Sequence, residues 1–391
     1  MPGAPRRVMY VNHVAEVSGA EGSLLALVSK LDRRRFEPVA AVPVGPLSRE
    51  LEEQGVQVGS VPGYRARRPR GLLQMIGAGV RLRILAGHIR RVGEELECDL
   101  VHANSLLAAL ASIMACGGVR PVIWHARDLR APRRAERWVI ARATRIVAIS
   151  TAVVDHLLEV GPAAREKTTL VHNGIDPESF RPTRPREQVR AELGAEPGTL
   201  LVGTVGQLVP WKRQDRFIRM AAAVPRTVPN ARFVVVGADL FGEHPDYVQS
   251  LHDLAAELGV AGRIVFTGYR EDMPNVMSAL DLLVHTAEEE PLGRVLLEAM
   301  CLGVPCVAPD SGGPAEIIED GVSGALAAED DGEGFAREAG ALLLDDERRR
   351  AMSKAAIERI RGEFSALRMA QLTEEVYEEA LAEWALSSRG V

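Results

Sequence analysis

Short apolar runs alternate with segments of helical periodicity along the whole chain. In the first half, the apolar runs lie at residues 8–11, 39–42, 56–61, 100–103, 122–124, 146–149 and 169–171. In the second half, they lie at residues 200–205, 233–236, 264–267, 282–285 and 306–308. Helical patterns separate them, for example at residues 23–31, 72–91 and 105–115. This alternation predicts an α/β chain whose parallel sheets are covered by helices on both faces, and its two blocks predict two Rossmann-like domains.

A turn-rich segment separates the two blocks. Residues 172–177 contain Asn-Gly and Asp-Pro, and two further prolines follow at positions 182 and 185. Such residues favour a rigid connection rather than a helix or strand. We therefore place the first domain at residues 1–175 and the second at 176–369. Apolar residues then recur at helical spacing over residues 365–388, which predicts a long final helix.

Composition excludes several classes of protein. The 391 residues are 47% hydrophobic, which suffices for two cores, and only 4% aromatic, which argues against a stacking platform for nucleic acid. No apolar run approaches the roughly 18 residues of a membrane span, and the apolar start is too short for a signal peptide. The four cysteines form no Cys-x-x-Cys pair. We therefore expect reduced thiols, a cytoplasmic location, no metal site and no cofactor.

Charge is distributed unevenly along the chain. The formal net charge is −6, made up of +7 over residues 1–178 and −13 over the remainder. The basic first half contains two arginine clusters, one at positions 65, 67, 68 and 70 and the other at positions 130, 133, 134 and 137. This asymmetry is compatible with an anionic acceptor, with peripheral contact at the inner membrane face, or with solvated helix surfaces.

The segment from Glu290 to Glu298 carries the clearest chemical signal. Two carboxylates are separated by seven residues, which form a Pro-Leu-Gly turn and the apolar start of a helix. Carboxylate oxygens accept hydrogen bonds and suit the paired hydroxyls of sugars and ribose. The free N–H groups at the start of a helix suit a diphosphate. The segment therefore predicts recognition of a sugar, a diphosphate and a ribose.

The neighbouring sequence places this segment at the edge of a sheet. A buried strand precedes it, and a helix end, a further strand and the turn Gly312-Gly313 follow it. In open parallel sheets, ligands bind at the carboxyl ends of the strands, where these loops lie. In order and spacing, the region resembles the E-x7-E motif of the retaining glycosyltransferases of family 4 (GT4).

The resemblance to GT4 implies the GT-B fold for the whole chain. In that fold, two Rossmann-like domains face a central cleft. The first binds the acceptor and the second binds the nucleotide sugar, while the final helix, here about residues 370–391, crosses back to the first domain. The chain contains no Asp-x-Asp, so a metal-held nucleotide is not expected.

Roles in donor binding follow from the same resemblance. Glu290 would contact hydroxyls of the donor sugar and Glu298 those of the ribose. Leu292, Gly293 and Arg294 would offer backbone amides to the sugar and the phosphates. The base would lie near Arg270.

A loop after the strand at 200–205 resembles the family's Gly-Arg…Lys-Gly loop, which grips the diphosphate. Lys212 falls on the lysine position, whereas Gln207 replaces the arginine and brings no charge. Arg213 or Arg294 would then supply the missing positive charge.

In the first domain, Gly19 follows the first strand and would let the backbone approach the diphosphate or the acceptor. His125 matches the family histidine that lines the donor sugar, and with Lys212 and Glu290 it completes the predicted catalytic set. We expect His102, Asn104 and Arg127 to face the acceptor.

The sequence thus predicts a metal-independent retaining transferase of hexosyl or N-acetylhexosaminyl groups. A UDP-sugar is the first expected donor and a GDP-sugar the second. The acceptor would be a lipid, a polysaccharide or a natural-product polyol. Two alternatives remain: a sugar-nucleotide epimerase or phosphorylase of the same fold, and a non-catalytic nucleotide-sugar-binding protein, the latter suggested by Gln207.

Overall fold

Parallel pairing organises the strands in both halves of the chain. A computed structural model describes residues 4–64, 71–328 and 332–389. Within these residues the first sheet has seven strands in the order β3-β2-β1-β4-β5-β6-β7, all parallel. They are β1 (Arg6–Val11), β2 (Phe36–Val42), β3 (Gln57–Ser60), β4 (Leu100–Ala103), β5 (Val122–Ala126), β6 (Arg145–Ala148) and β7 (Thr168–Leu170). The predicted first sheet is confirmed.

Helices cover the first sheet and connect its strands. They are α1 (Gly19–Lys30), α2 (Pro46–Glu53), α3 (Leu72–Glu95), α4 (Leu106–Cys116), α5 (Arg133–Arg142), α6 (Thr151–Val160) and α7 (Ala164–Lys167). The central strands β4 and β5 are buried throughout because both faces of the sheet are covered.

The second sheet has six parallel strands within the described ranges, in the order β10-β9-β8-β11-β12-β13. They are β8 (Leu200–Val205), β9 (Ala231–Val236), β10 (Ile264–Gly268), β11 (Leu282–Val284), β12 (Cys306–Pro309) and β13 (Ala325–Ala327). Five follow the predicted apolar runs. β13 has three residues and lacks a pattern long enough to be recognised in the sequence.

Helices α8 to α15 surround the second sheet. They are α8 (Arg186–Glu192), α9 (Gln214–Ala223), α10 (Pro245–Glu257), α11 (Met273–Ala279), α12 (Arg294–Cys301), α13 (Gly312–Ile317), α14 (Gly332–Leu344) and α15 (Asp346–Glu363). Single turns of 3-10 helix occur at Pro210–Lys212, Val224–Arg226 and Ala261–Arg263.

The last helix, α16 (Ala366–Arg389), returns to the first sheet. The chain divides into one unit of Met1–Gly174 with Ala366–Val391 and another of Ile175–Ser365. Tyr377 and Val376 of α16 are buried in the same core as Leu24 of α1 and Tyr10 of β1. The crossing-back of the final helix is therefore observed, and burial of its apolar face holds it there.

The cysteines are free thiols. Cys98, Cys116 and Cys306 are buried and Cys301 is half-buried. In the part of the chain that the structure describes, no helix combines the length and the apolar character needed to cross a bilayer.

At the carboxyl edge of the second sheet, the backbone after β9 lies very close to the backbone after β8. Gly237, directly after β9, has φ +138°, and a Cβ there would lie 1.8 Å from the carbonyl oxygen of Gly206, directly after β8. Glycine is therefore required at Gly237 by space as well as by conformation.

We expect Gly237→Ala to lower the unfolding free energy of the second unit by about 2 kcal/mol or more, because the added carbon meets backbone that cannot move aside. Gly262→Ala is the matched control, since Gly262 has no described atom within 4 Å of its Cβ position and no positive φ. Denaturant unfolding of both variants measures the difference. Equal stability of the two would contradict the close approach.

Candidate active site

Two loops at the carboxyl edge of the second sheet are held against each other. The first leads from β8 through Lys212 to α9, and the second leads from β11 to α12. The backbone N–H of Glu288 donates to the Trp211 carbonyl at 2.9 Å, and the Thr286 hydroxyl donates to the Lys212 carbonyl at 3.1 Å. The lysine and the E-x7-E segment are therefore brought together by tertiary structure.

Lys212 and Glu290 form the centre of this region. Lys212 Nζ lies 2.5 Å from Glu290 Oε2, and 4.2 Å from the centre of the Trp211 ring. The same carboxylate oxygen lies 3.1 Å from Nε2 of His285, a fully enclosed side chain just after β11. Glu290 is itself about nine-tenths buried. Burial alone would favour the neutral acid, but Lys212 and His285 reverse this and hold the pKa of Glu290 at about 2.

The turn after β12 supports the same loop. The Gly313 N–H donates to the Glu290 carbonyl at 3.0 Å, and a Cβ on Gly313 would lie 2.1 Å from Cα of Leu292. Gly293 has φ +100° and caps α12. Leu292 and Gly293 thus lie at the beginning of that helix, and their predicted amide contacts with the donor stay a prediction.

Glu298 lies in the second turn of α12. Its carboxylate accepts from Arg294 Nε at 2.8 Å, an i,i+4 pair in which both side chains are largely enclosed. Burial raises the pKa of Glu298, and Arg294 opposes the rise. Of the predicted donor residues, two pairs are therefore in direct contact: Lys212 with Glu290, and Arg294 with Glu298.

The remaining predicted donor residues of this unit lie in other contacts. Arg213 pairs with Asp215 at 3.0 Å and with Glu288, so its charge is already compensated, and these carboxylates raise its pKa. Gln207 accepts from Gln214 Nε2 at 2.8 Å through its backbone carbonyl. Arg270 pairs with Asp272 at 2.7 Å. Within the described ranges, it forms no ion pair with the other residues predicted to bind the sugar donor.

Sequence reasoning missed His285 and Glu288. A histidine at the end of a buried strand, five residues before Glu290, was the available signal for His285. Glu288 bridges Arg213 and Arg216, with Arg216 Nη2 at 2.7 Å. Nothing local in the sequence distinguishes it from its neighbour Glu289.

In the first unit, the predicted residues meet in one buried hydrogen-bond network. His102 lies in β4 and His125 in β5, and His102 Nε2 is 3.0 Å from His125 Nδ1. Arg127 Nη2 lies 3.1 Å from the same Nδ1. Arg127 also donates to Asn104 Oδ1 at 2.9 Å and to Asn173 Oδ1 at 2.9 Å. These side chains are enclosed, and their described contacts are largely with one another, which favours a positioning role over direct contact with an acceptor.

The network extends to α16 and determines the protonation of both histidines. The Tyr377 hydroxyl lies 2.7 Å from His102 Nδ1 and 3.1 Å from the Tyr10 hydroxyl. Arginine can only donate, so His125 Nδ1 accepts and the proton of the neutral ring lies on Nε2. His102 must then donate from Nε2 to the same atom and accept from Tyr377. Within the described residues, His125 Nε2 is buried without a hydrogen-bond partner.

Burial keeps both rings uncharged. Burial first, and then the charge of Arg127, lowers the pKa of His102 to about 3. The same two causes, with His102 added, lower the pKa of His125 well below its usual value. A buried N–H left without a partner is costly, and an acceptor placed at His125 Nε2 would remove this cost.

Gly19 lies at the start of α1, next to this network. Ser18 and Glu21 form a capping box at the helix start, with Asn12 Nδ2 donating to Glu21 at 3.1 Å. Around Gly19 no described atom lies within 4 Å of a Cβ position, so the backbone there is accessible. At Gly19 the structure therefore shows open space beside the backbone and not a positive φ.

Comparisons with known proteins identify the family of the chain. Residues 17–179 match the family model of Glycosyltransferase Family 4, and residues 185–359 match that of Glycosyl transferases group 1. The chain belongs to glycosyltransferase family 4. The predicted family is thereby confirmed, and together the two models account for most of the chain.

Relatives of this GT4 chain include the D-inositol 3-phosphate glycosyltransferase of Nocardia farcinica, 33% identical over 75% of the chain. The match spans 64% of that relative's length, which is less than two thirds. The alpha-maltose-1-phosphate synthase of Mycolicibacterium smegmatis is 29% identical over 78% of the chain and 85% of its own length.

Among solved structures, Anabaena HepE in complex with UDP and glucose superimposes with a TM-score of 0.81 at 27% identity. The match covers 95% of this GT4 chain and 99% of HepE. The fold is accordingly GT-B, as the sequence predicted.

We expect Lys212→Met to raise the pKa of Glu290 from about 2, because His285 alone then opposes the effect of burial. In the wild-type protein the folded pKa lies below the unfolded one. The ionised carboxylate therefore stabilises the fold above about pH 4.5, and this contribution is lost as the pH falls through about 2. Titration of carboxyl carbons by NMR measures the shift, and Glu290→Gln identifies the signal. An unchanged pKa in Lys212→Met would contradict the ion pair.

We expect histidine nitrogen spectra to show His102 and His125 neutral and protonated at Nε2 down to about pH 5, well below the ordinary histidine pKa. Tyr377→Phe removes the hydroxyl that donates to His102 Nδ1 and should shift the resonance of that nitrogen downfield, while the proton stays on Nε2 because His125 Nδ1 still accepts it. Tyr10→Phe is the matched control, because it leaves that hydrogen bond in place. If both variants gave the same histidine spectra, the proton assignment would be wrong.

Proposed function

We propose that the chain is a metal-independent, retaining glycosyltransferase that moves a hexosyl or N-acetylhexosaminyl group from a nucleotide diphosphate sugar to an acceptor hydroxyl. The observation that carries the proposal is the contact of Lys212 with Glu290 beside the start of α12. A cation, a carboxylate and the amides at the start of a helix, brought together at one point, are the groups that a phosphate and a sugar need.

In the proposed reaction, the bond from the anomeric carbon to the diphosphate oxygen breaks, and a bond to the acceptor oxygen forms on the same face. The acceptor proton passes to the departing phosphate. Lys212 and the N–H groups at the start of α12 stabilise the developing negative charge, which is why no metal ion is required. Glu298 holds the ribose, and His125 donates to an oxygen of the donor sugar.

A UDP-sugar is the proposed donor, and a GDP-sugar is the next candidate. UDP is favoured by the likeness to HepE, whose structures hold UDP and UDP-glucose. For the acceptor, the name of the Nocardia relative points to a phosphorylated polyol. A phosphorylated acceptor agrees with the basic first half of the chain, and an acceptor linked to a lipid or a polysaccharide remains an alternative.

The expected result is a rise in melting temperature with UDP-glucose or UDP-N-acetylglucosamine in the presence of EDTA, with a smaller rise for GDP-mannose. At a ligand concentration of about 100 times Kd, stabilisation of about 2.7 kcal/mol follows from mass action. Glu298→Ala should abolish the shift, whereas Glu257→Ala, an exposed carboxylate on α10, should retain it.

Incubation of the donor with inositol phosphates and other polyols then distinguishes the functions, with products followed by NMR. A product of unchanged anomeric configuration supports the retaining transferase. Epimerised donor or free nucleotide without an acceptor product indicates an epimerase. Binding without turnover, as Gln207 would suggest, indicates a non-catalytic protein. No shift with any nucleotide sugar would refute the donor site itself.

A further inference from the structure

Helix α3 has two apolar faces, and only one of them packs on the protein. Leu85, Ile89 and Val92 are buried toward the sheet and α4. Ile76, Val80 and Ile84 lie on the outward side and are 55%, 48% and 50% exposed. Val80 and Ile89 are nine residues apart, about two and a half turns, so they project to opposite sides of the helix.

The outward apolar residues form a continuous stripe. Ile76, Val80 and Ile84 succeed each other at intervals of four, and the stripe extends about 12 Å along the helix axis. Met75 lies beside it and is 59% exposed. Exposed apolar residues that cluster in this way mark a contact surface, whereas scattered single ones need no explanation.

Basic side chains flank the stripe. Helix α3 contains Arg81, Arg83, Arg90 and Arg91, and its acidic residues, Glu94 and Glu95, lie in its last turn, about 15 Å beyond Ile84. Arg81, Arg83 and Arg91 of α3 are exposed. A groove between α3 and α4 is lined by Arg83, Arg90 and Met114, so charged and apolar groups continue side by side. The predicted cluster at positions 65, 67, 68 and 70 lies outside the described residues.

An apolar stripe bordered by arginines fits the boundary between lipid headgroups and acyl chains. We propose that the outward face of α3 binds a bilayer surface that carries anionic headgroups. Ile76, Val80 and Ile84 enter the boundary region, and Arg81 and Arg83 contact lipid phosphates. The proposal is independent of the reaction, so vesicle binding and catalysis can fail separately.

Cosedimentation with vesicles tests the surface. The full chain should bind vesicles of equal parts phosphatidylcholine and phosphatidylglycerol, and should bind poorly to phosphatidylcholine alone. Because exposed charges are screened by salt, binding should weaken at high NaCl. Ile76→Ser/Ile84→Ser should reduce the partition coefficient at least about tenfold through lost apolar burial. Arg81→Gln/Arg83→Gln should reduce it about tenfold and flatten the salt dependence.

The matched control is Val44→Ser/Leu344→Ser, which removes two apolar side chains that are 79% and 66% exposed elsewhere. It should bind vesicles like the wild-type protein. Melting curves of all variants verify folding. As a second measurement, a tryptophan introduced by Ile76→Trp should be quenched by brominated phosphatidylcholine in the mixed vesicles.

Three outcomes would overturn the proposal. The first is absence of wild-type binding to anionic vesicles at low salt. The second is equal binding by the Ile76→Ser/Ile84→Ser variant and the control. The third is a dimer, seen by light scattering, that the same variant dissociates while vesicle binding is absent, since the face would then join two copies of the chain.

Discussion

A buried carboxylate requires a positive partner, and this requirement organises the site of the second unit. Glu290 is nearly enclosed, and its charge is maintained by Lys212 at 2.5 Å and by the hydrogen bond to His285 at 3.1 Å. To bring these groups together, the loop after β8 must pack on the loop after β11. The two glycines after β12 must approach the same segment, where a Cβ on Gly313 would meet Leu292. Loop geometry, helix start and electrostatics therefore depend on one another.

The contact has a consequence for donor binding. In the proposed complex, Lys212 binds the diphosphate and Glu290 binds the sugar, whereas in the structure these two side chains contact each other. A diphosphate would thus compete with Glu290 for the same ammonium. His285 remains beside the carboxylate and can hold it while the lysine turns to the phosphates. Because Arg213 is already compensated by Asp215 and Glu288, Lys212 carries the main charge that the loop offers.

In the first unit, by contrast with the charged Glu290 of the second, the buried rings of His102 and His125 are neutral. Arg127 and Tyr377 fix which nitrogen of each histidine carries a proton, so His125 is prepared to donate rather than to accept. Tyr377 lies on α16, more than 250 residues from His125 in sequence. The returning helix therefore contributes to the polar interior as well as to the apolar core.

Much of the fold could be predicted from the sequence because periodicity is local. Apolar runs separated by helical patterns predicted both sheets, and the E-x7-E segment with Lys212 predicted the centre of the candidate donor site. The three-residue strand β13 was too short to carry a pattern. His102, Asn104 and Arg127 were recognised as polar residues near strand ends, but their mutual contacts could not be known, since strand order decides which ends are neighbours.

By itself, the sequence determined the α/β class, the two-domain plan, the family, and the residue types available for a nucleotide sugar. Tertiary structure alone decided which charges meet. It paired Lys212 with Glu290, compensated Arg213, linked Tyr377 to His125 through His102, and turned one apolar face of α3 outward. The physical reason is that periodicity and turn chemistry act over a few residues. Electrostatic compensation and burial depend on distances between segments that only the packed chain defines.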